Sequence, residues 1–327
     1  MPLALLGLLV LGLGTYAAVT REAFLTTYNT NNLLLTAMPL VLVAMGQTNA
    51  LLVGGFDISV AALITLCVVT ASYTMTAGSA WYLLFLGALA LLGVGLATGI
   101  VNATLIRVIG LPSIIATLGT LSILQGISLV LRDHPEGAIS TEFAGALTTS
   151  VGFMPIAFIG AVVLAVLWDL WLYRSRGGLS LRAVGLHETS ARRLGANTGR
   201  KVFLAFVLCS LMAVVAGFFS AAQIQTGSPI IGGYALQSIV AAVLGGASLA
   251  GGRGSFVGAL LGALFISLIS NVVPLLRQPT EYGQIAIGAL TLLALVVYQG
   301  PELWARLHGA REAIRRARSA PARLPVG

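Results

Sequence analysis

Charged side chains are scarce in this sequence. Asp, Glu, Lys and Arg together account for 9% of its 327 residues, whereas a soluble domain is about one quarter charged. Cysteine is rarer still, and because Cys67 and Cys209 both lie in apolar runs, a disulfide framework is excluded. The histidines His134, His187 and His308 are far apart and lack metal-ligand spacing. With 57% hydrophobic residues, the chain is predicted to be an integral membrane protein, with neither a metal nor a cofactor.

An ATP site of the Walker type is also missing. Such a loop needs Gly-Lys followed by Ser or Thr, and the only lysine, Lys201, is followed by Val202. No cluster of nucleophile, base and metal ligands indicates an enzyme. If ATP drives this protein, another subunit must bind the nucleotide.

Long apolar runs recur through the chain. About 20 residues of helix cross roughly 30 Å of hydrocarbon, and the runs lie at about 3–19, 33–52, 58–77, 81–105, 112–131, 151–173, 202–222, 236–247, 255–275 and 282–299. They predict an all-α polytopic membrane protein with about ten transmembrane helices. Residues 1–300 form one transmembrane domain in this interpretation, and 301–327 form a basic tail. The short run at 236–247 predicts a broken or partly re-entrant helix.

The cations are distributed unevenly between the loops. Ten crossings place both termini on the same side, and with the C-terminal tail inside, 15 of the 18 Lys and Arg residues face inward. Only Arg21, Arg132 and Arg277 then face outward. This asymmetry follows the positive-inside rule and predicts both termini in the cytoplasm. Orientation and contact with anionic lipid therefore explain the net charge of +8, and we expect no nucleic-acid partner.

Two glycine-rich stretches interrupt the apolar runs. In the first, Gly54 and Gly55 permit a tight turn, and Asp57 is predicted to cap the next helix by accepting bonds from its first free amides. The second stretch contains Gly245, Gly246, Gly251, Gly252 and Arg253. There we expect a compact turn on the inner side, in which the arginine binds the carbonyl end of a neighbouring helix.

A spacing of four residues between small side chains follows that second turn. It relates Gly254, Gly258 and Gly262, and predicts a face along which two helix backbones approach closely.

Uncharged polar residues occur at membrane depth. Candidates to line a solute path are Gln47, Asn49, Asn102, Thr117, Thr120, Gln125 and Asn271, and Gln223, Gln225 and Gln237 lie at similar depth. Amides and hydroxyls suit a neutral polyhydroxylated solute, but such residues also commonly join helices to each other. No chain of buried ionisable residues indicates a proton relay. Asp169 lies among aromatic residues just before Arg174, which indicates an interfacial belt with a local charge pair.

Residues 174–201, the arginine-rich segment, carry seven cations and one acid, Glu188. Because a cation at the bilayer centre costs roughly 3 kcal/mol, this segment must lie in water. Residues 186–197 can form a short amphipathic helix that docks on a partner protein. We expect the following residues to form or end it: Leu186, Glu188, Ala191, Arg192, Arg193, Leu194 and Gly195. The alternative is a solvated loop held near anionic lipid.

Several of these stretches together resemble a known family. The chain is similar to the membrane permease subunit of ATP-binding-cassette importers for monosaccharides, of the ribose, xylose, arabinose and galactose type. The stretches that carry the resemblance are 54–60, 111–121 and 245–254, with further support from Gly99, Asn102, residues 188–195 and Asn271. The resemblance runs in order from about residue 25 to about 299.

The resemblance implies a permease of the bacterial cytoplasmic (inner) membrane that catalyses no covalent step. It implies three protein partners: an ABC ATPase docked on residues 186–197, a periplasmic sugar-binding protein, and a second permease copy in a homodimer or a heterodimer. The expected cargo is a neutral monosaccharide or a sugar-like solute. Two alternatives remain open, namely a permease of the wider superfamily for branched-chain amino acids or nucleosides, and an ion-coupled secondary transporter.

Overall fold

The computed structural model describes residues 2–230, 232–290 and 292, and in this part of the chain the fold is predominantly helical. The helices are α1 Pro2–Thr20, α2 Thr27–Leu52, α3 Val60–Thr74, α4 Trp81–Thr104, α5 Ser113–Leu131, α6 Thr141–Thr148, α7 Ile156–Arg174, α8 Arg176–Leu186, α9 Glu188–Arg193, α10 Thr198–Ile224, α11 Tyr234–Leu244 and α12 Phe256–Leu275. A 3₁₀ turn covers Glu22–Leu25, a π-helical turn continues α4 over Leu105–Ile109, and residues 280–290 are helical.

Six of the described helices are long and apolar enough to cross a membrane: α2, α4 with its π-helical turn, α5, α7, α10 and α12. Shorter apolar helices cover Leu6–Thr20, Val60–Thr74 and Tyr234–Leu244. Each predicted span thus contains a helix, although the first five residues of the span 151–173 belong to a β-hairpin and 245–247 lie in a turn. Of the last predicted span, 282–299, the structure describes residues 282–290 and 292, and they are helical. The predicted tail 301–327 lies outside the described residues. The total of ten spans stays a prediction.

Helix α11 is short, as its sequence predicts. Its 11 residues rise about 16 Å, roughly half the thickness of the hydrocarbon layer. A left-handed Gly233 precedes it, with φ of +95°, and Gly245 follows it. These glycines allow the backbone to turn at both ends of the helix. Because the helix is only about 16 Å long, it cannot cross a bilayer alone.

The loops gather at two ends of the helical bundle. At one end, which we call the basic end, lie the turns 53–59, 105–112, 174–201 and 245–255. Hydrogen bonds hold these turns close to one another: the Gly252 N–H donates to the Leu52 carbonyl at 3.0 Å, and the Phe56 N–H donates to the Ser113 hydroxyl at 3.1 Å.

The other end, which we call the opposite end, contains 21–26, 75–80, 132–155, 225–230 and 276–279. The Ser140 N–H donates to the Met75 carbonyl at 2.7 Å, and the Asn31 amide donates to the Ser150 hydroxyl at 2.6 Å. The strands β1 Glu136–Ala138 and β4 Thr226–Gly227 pair here, and β2 Ser150–Val151 forms a hairpin with β3 Met154–Pro155. The all-helical prediction omitted these four strands because two or three residues carry no readable periodicity.

Helix α10 lies at the centre of the bundle, in contact with α2, α3 and α4. Glycines allow these contacts: a Cβ added to Gly99 of α4 would lie 2.6 Å from the Val207 Cα of α10. One added to Gly46 of α2 would lie 3.1 Å from the Cys209 carbonyl oxygen. Backbone approach of this kind maximises packing where lipid removes the hydrophobic driving force.

Helices α11 and α12 approach each other even more closely. A Cβ added to Gly258 would lie 2.0 Å from the Gly245 carbonyl oxygen, and one added to Gly262 would lie 2.1 Å from the Ala241 carbonyl oxygen. These contacts place the two later glycines on the predicted close face. Gly254 is an exception because α12 begins two residues after it. The prediction that all three glycines share one helix face is therefore wrong for Gly254.

Candidate functional site

Asp57 lies in the turn between α2 and α3. Gly54 adopts a left-handed φ of +77° there, and a Cβ on Gly55 would lie 2.7 Å from a side chain of α10. Helix α3 begins at Val60, so Ser59 occupies the N-cap position and the predicted capping residue is wrong by two positions. The Asp57 carboxylate closes the turn instead, because its Oδ1 accepts from the Ser59 N–H at 3.0 Å and from the Ser59 hydroxyl.

Ser59 of the same turn and three polar side chains from other helices join this carboxylate in one hydrogen-bonded group. We call the group the Asp57 network: Asp57, Ser59, Asn102, Thr120 and Ser210. The Asn102 amide donates to the Ser59 hydroxyl at 2.9 Å and to Asp57 Oδ1 at 3.4 Å. Its oxygen accepts from the Thr120 hydroxyl at 2.6 Å. The Ser210 hydroxyl donates to Asp57 Oδ2 at 3.5 Å. The network thereby joins the α3 turn to α4, α5 and α10, and all five side chains are buried.

Two more of the predicted path residues bind the same turn. The Gln47 amide is oriented so that both its NH₂ group and its oxygen are hydrogen-bonded. It donates to the Asp57 carbonyl at 3.0 Å and accepts from the Asp57 N–H at 3.2 Å. The Thr117 hydroxyl donates to the carbonyl of Ser113 in its own helix at 2.8 Å and to that of Phe56 at 3.4 Å. These partners favour the alternative in which such residues join helices, and a role in the path stays a prediction.

Asn49 and Gln125 lie apart from the Asp57 network. The buried Asn49 amide donates back to the Met45 carbonyl of its own helix at 3.1 Å. The Gln125 amide donates to the Pro229 carbonyl at 2.7 Å and thereby holds the 225–230 loop at the opposite end. The structure thus brings together Gln47, Asn102, Thr117 and Thr120, but not these two.

The second glycine-rich stretch forms the compact turn predicted at the basic end. Gly246, Gly251 and Gly252 adopt left-handed φ values of +95°, +93° and +72°. A Cβ on Gly251 would lie 3.0 Å from the Gly54 nitrogen, so the two glycine-rich turns pack directly on each other. The Arg253 side chain is exposed and makes no hydrogen bond with a described residue, which leaves its predicted bond to a helix end unmade; its carbonyl accepts from the Ser248 N–H.

Asp169 caps a helix instead of pairing with Arg174. Its carboxylate accepts from the Phe256 N–H at 2.8 Å, the Val257 N–H at 3.1 Å and the Ser255 hydroxyl at 2.6 Å. The predicted local charge pair is therefore wrong. An acid is stabilised at this position because the first amides of α12 are free and the helix dipole is positive there.

The arginine-rich segment contains two short helices rather than the single helix predicted for 186–197. Leu186 ends α8, and His187 is extended, with φ of −152°, before α9 begins at Glu188. Leu194 is already the C-terminal cap of α9. Gly195 ends the helix as predicted, with a left-handed φ of +85°.

The predicted apolar face of this segment is divided between two sides. Ala191 is buried against the bundle, and Leu186 packs on the Gly252 turn. Leu194 projects outward and is 88% exposed. Because the extended backbone at His187 interrupts the helix, these three side chains do not share one face. Leu194 and Arg193 are exposed, and so are Leu179 and Leu186 of α8.

An ion pair binds the segment to the end of α4. The Arg107 guanidinium contacts Glu188 Oε1 at 2.6 Å and donates to the Thr198 hydroxyl at 2.7 Å. Arg192 contacts the same Oε1 at 2.8 Å, as its spacing of four residues predicts. Partial desolvation raises the pKa of Glu188, but hydrogen bonds and charge attraction from the arginines outweigh it and hold that pKa below its ordinary value. Glu188 is therefore ionised at neutral pH.

A polar cleft of about 480 Å³ opens at the opposite end, between the start of α2, the start of α11 and the end of α12. Its polar lining consists of Asn29, Asn32, Thr36, Tyr234, Gln237, Ser267, Ser270 and Asn271. None of the described residues that line it is charged. The Asn29 and Asn271 amides donate to each other at 3.2 and 3.0 Å. The volume falls in the range of small-molecule sites, roughly 300–1,000 Å³.

Of the predicted path residues, only Asn271 lines this cleft. Sequence reasoning missed the amides of α2, although Asn29, Asn32 and Thr36 recur at spacings of three and four and so share a helix face. Ser267, Ser270 and Asn271 of α12 have the same kind of spacing. A search for polar residues at helical period, rather than for isolated polar residues, would have found both faces.

Within the described residues, no group of His, Cys, Asp and Glu side chains could hold a metal ion. The cleft at the opposite end offers neutral donors and acceptors, and the basic end presents cations and exposed apolar side chains.

Comparison with known proteins places the chain in a family. The family of the permease component of branched-chain amino acid transport systems matches residues 29–295. The D-allose transport system permease protein AlsC of Escherichia coli K12 is 31% identical over 288 residues, 86% of this chain and 86% of that protein. The autoinducer 2 import system permease protein LsrC of Yersinia enterocolitica is 35% identical over 271 residues, 81% of this chain and 73% of that protein.

LsrC of Enterobacter sp. strain 638 is 33% identical over 306 residues, 91% of this chain and 84% of that protein. No solved structure matches the chain. The matches cover the stretches on which the resemblance rested, and they confirm it. The chain belongs to this family of multi-pass membrane permeases and is a transport subunit rather than an enzyme.

Proposed function

We propose that the chain is the permease subunit of an ATP-driven importer and carries a neutral monosaccharide or a closely related solute. The observation that carries this proposal is the cleft at the opposite end. Its amides and hydroxyls can exchange hydrogen bonds with the hydroxyl groups of a sugar, and none of its described lining residues is charged. Relatives for D-allose and autoinducer 2 support the same class of solute.

The description of the family favours a second candidate, a branched-chain amino acid. Such a solute carries an ammonium and a carboxylate, and burying either group without a partner is expensive. A path for it would benefit from fixed charges or helix ends directed at those groups. The cleft offers neutral amides instead, which is why the sugar is the stronger candidate.

Residues 186–197 of the arginine-rich segment are the docking surface for the ATPase in this proposal. Leu194 is 88% exposed and adjoins the exposed Arg193 in the chain, a combination of an apolar anchor with a cation. An apolar side chain held in water by a short rigid helix suits insertion into a groove of a partner protein. A periplasmic binding protein would deliver the solute to the opposite end, and a second permease copy would complete the path.

The basic end faces the cytoplasm in this arrangement, in the bacterial inner membrane, with ten helices and both termini inside. Support comes from the cation count, since all described cations except Arg21, Arg132 and Arg277 lie at the basic end. ATP binding and hydrolysis on the partner would shift the bundle between outward-open and inward-open states. Outward opening exposes the amide-lined cleft, and closure at that end releases the solute inward.

The test is transport by the chain reconstituted in liposomes with the ATPase and the binding protein that co-purify with it. We expect uptake of labelled D-allose that requires ATP, and uptake of labelled leucine near background. Asn271→Leu is expected to lower D-allose uptake about tenfold. A sugar hydroxyl would lose its partner, and the Asn29 amide would lose the Asn271 amide with which it is paired.

Ser122→Ala is the matched control, since Ser122 is exposed and bonds only the Leu118 carbonyl of its own helix. Uptake driven by an ion gradient without the ATPase would instead establish a secondary transporter. Uptake of leucine in preference to D-allose would establish the amino-acid permease.

A further inference from the structure

The end of helix α4 carries an unusual backbone and an unusual arginine. Residues Leu105–Ile109 form a π-helical turn, which ends at Gly110 with a left-handed φ of +83°. In such a turn the hydrogen bonds span five residues, so one additional residue is accommodated and the side chains beyond it are rotated. Single π-helical turns inside α-helices frequently occur at functional positions, and this one forms the C-terminal end of α4. Arg107 lies in the middle of the turn.

The Arg107 guanidinium joins two elements of the arginine-rich segment at once. It contacts Glu188 at the start of α9 at 2.6 Å, and it donates to the Thr198 hydroxyl at the start of α10 at 2.7 Å. A planar guanidinium fixes both partners in direction as well as in distance. Its side chain is only 27% exposed, so water competes for these bonds less than at an open surface.

Five residues before Arg107, the same helix enters the Asp57 network. The Asn102 amide donates to the Ser59 hydroxyl at 2.9 Å, and its oxygen accepts from Thr120 at 2.6 Å. One helix end thus holds the arginine-rich segment through Arg107 and the Asp57 network through Asn102. The π-helical turn is the backbone between them.

We propose that Arg107 is a positioning residue that transmits movement of the arginine-rich segment, through the π-helical turn, to the Asp57 network. The proposal rests on the proposed function, in which the ATPase docks on that segment. A displacement of α9 pulls on Glu188 and hence on Arg107. The π-helical turn can absorb or release one residue, which rotates Asn102 relative to Ser59 and Thr120 and so alters the packing of α3 and α5 against α4.

Loss of the Arg107 guanidinium is expected to affect coupling and not folding. Ion pairs near a surface contribute little to stability, about 0–1 kcal/mol, so the chain folds and docks without the Arg107 guanidinium. Without this guanidinium, the chain loses the coupling between movement of the arginine-rich segment and the arrangement of the Asp57 network. Coupling between distant sites typically corresponds to a 5–150-fold effect, which is large enough to measure as transport per ATP hydrolysed.

The first experiment measures ATP hydrolysis and ATP-driven D-allose uptake in the same liposomes. For Arg107→Ala we expect hydrolysis within about twofold of the unaltered protein and uptake about tenfold lower. Arg200→Ala is the matched control, because it removes another arginine of the basic end that is exposed and has no side-chain bond to a described residue. Its ratio of uptake to hydrolysis should stay within about twofold.

Charge exchange tests the pair itself. Arg107→Glu and Glu188→Arg should each lower the ratio, and the double exchange should recover most of it. An unchanged ratio in Arg107→Ala overturns the proposal. So does loss of the ATPase from purified Arg107→Ala, because the residue would then serve docking and not transmission.

A second measurement needs neither ATPase nor solute, so it remains valid if the proposed function fails. Hydrogen exchange of the chain alone in lipid nanodiscs should accelerate at 105–109 and 188–193 in Arg107→Ala and not in Arg200→Ala. Unchanged exchange in both segments would show that Arg107 does not hold them, and it would overturn the proposal whatever the transporter carries.

Discussion

Asp57 is a buried carboxylate that binds neutral donors only. Within the described residues no cation pairs with it, and it accepts from the Ser59 amide, the Asn102 amide and the Ser210 hydroxyl. Removal of a shared acceptor leaves each donor buried without a partner, at about 1–3 kcal/mol per group. We therefore expect Asp57→Ala to lower stability by about 3 kcal/mol, measured as a lower thermal midpoint of the protein in detergent. Asp57→Asn should fall between Asp57→Ala and the unaltered protein, because its oxygen still accepts from Ser59.

A midpoint for Asp57→Ala equal to that of the control Ser122→Ala would contradict the network.

At this scale the sequence indicates which residues matter but not which of them meet. Asp57, Asn102 and Thr120 are each identifiable as polar residues in an apolar chain. Their convergence depends on the packing of α3, α4 and α5, which no local pattern encodes. The same limit explains Asp169: the nearest cation in sequence is Arg174, yet the carboxylate binds amides 87 and 88 positions away.

Helices α11 and α12 depend on the absence of a side chain at their contact. We expect Gly262→Ala to destabilise the bundle by about 2 kcal/mol, as overpacking typically does, because the new Cβ would lie 2.1 Å from the Ala241 carbonyl oxygen. The backbones must separate, since a carbonyl oxygen cannot move away as a flexible side chain can. Size-exclusion chromatography after heating should show earlier loss of the monodisperse peak.

Gly126→Ala is the control for that variant. A Cβ at Gly126 meets nothing within 4 Å, so the peak should survive to the same temperature or higher. Equal losses in the two variants would contradict the close approach.

The helices were the most predictable part of this structure, because apolar runs of about 20 residues specify helices directly. The division of residues 186–197 at His187 was not predictable, since it depends on Leu186 packing against the Gly252 turn.

The whole molecule separates its charge along one axis. The arginine-rich segment, Arg107 and Arg253 lie at the basic end, whereas Arg21, Arg132 and Arg277 are at the opposite end. The sequence could predict this separation because the cost of moving arginine through a bilayer acts on every loop, whatever the tertiary structure. The cleft could not be predicted in the same way, because it requires α2, α11 and α12 to be placed side by side.

Cysteine labelling tests the orientation of this axis. Cys67 and Cys209 are fully buried, so reagents that require exposed thiols should label the unaltered protein weakly. Leu194→Cys adds a thiol at the basic end and Val151→Cys adds one at the opposite end, at side chains that are 88% and 68% exposed. A membrane-impermeant maleimide should label Val151→Cys in right-side-out vesicles and Leu194→Cys in inside-out vesicles, in cells that lack the ATPase. Labelling of Leu194→Cys from outside would invert the molecule and place its docking surface where no ATP is available.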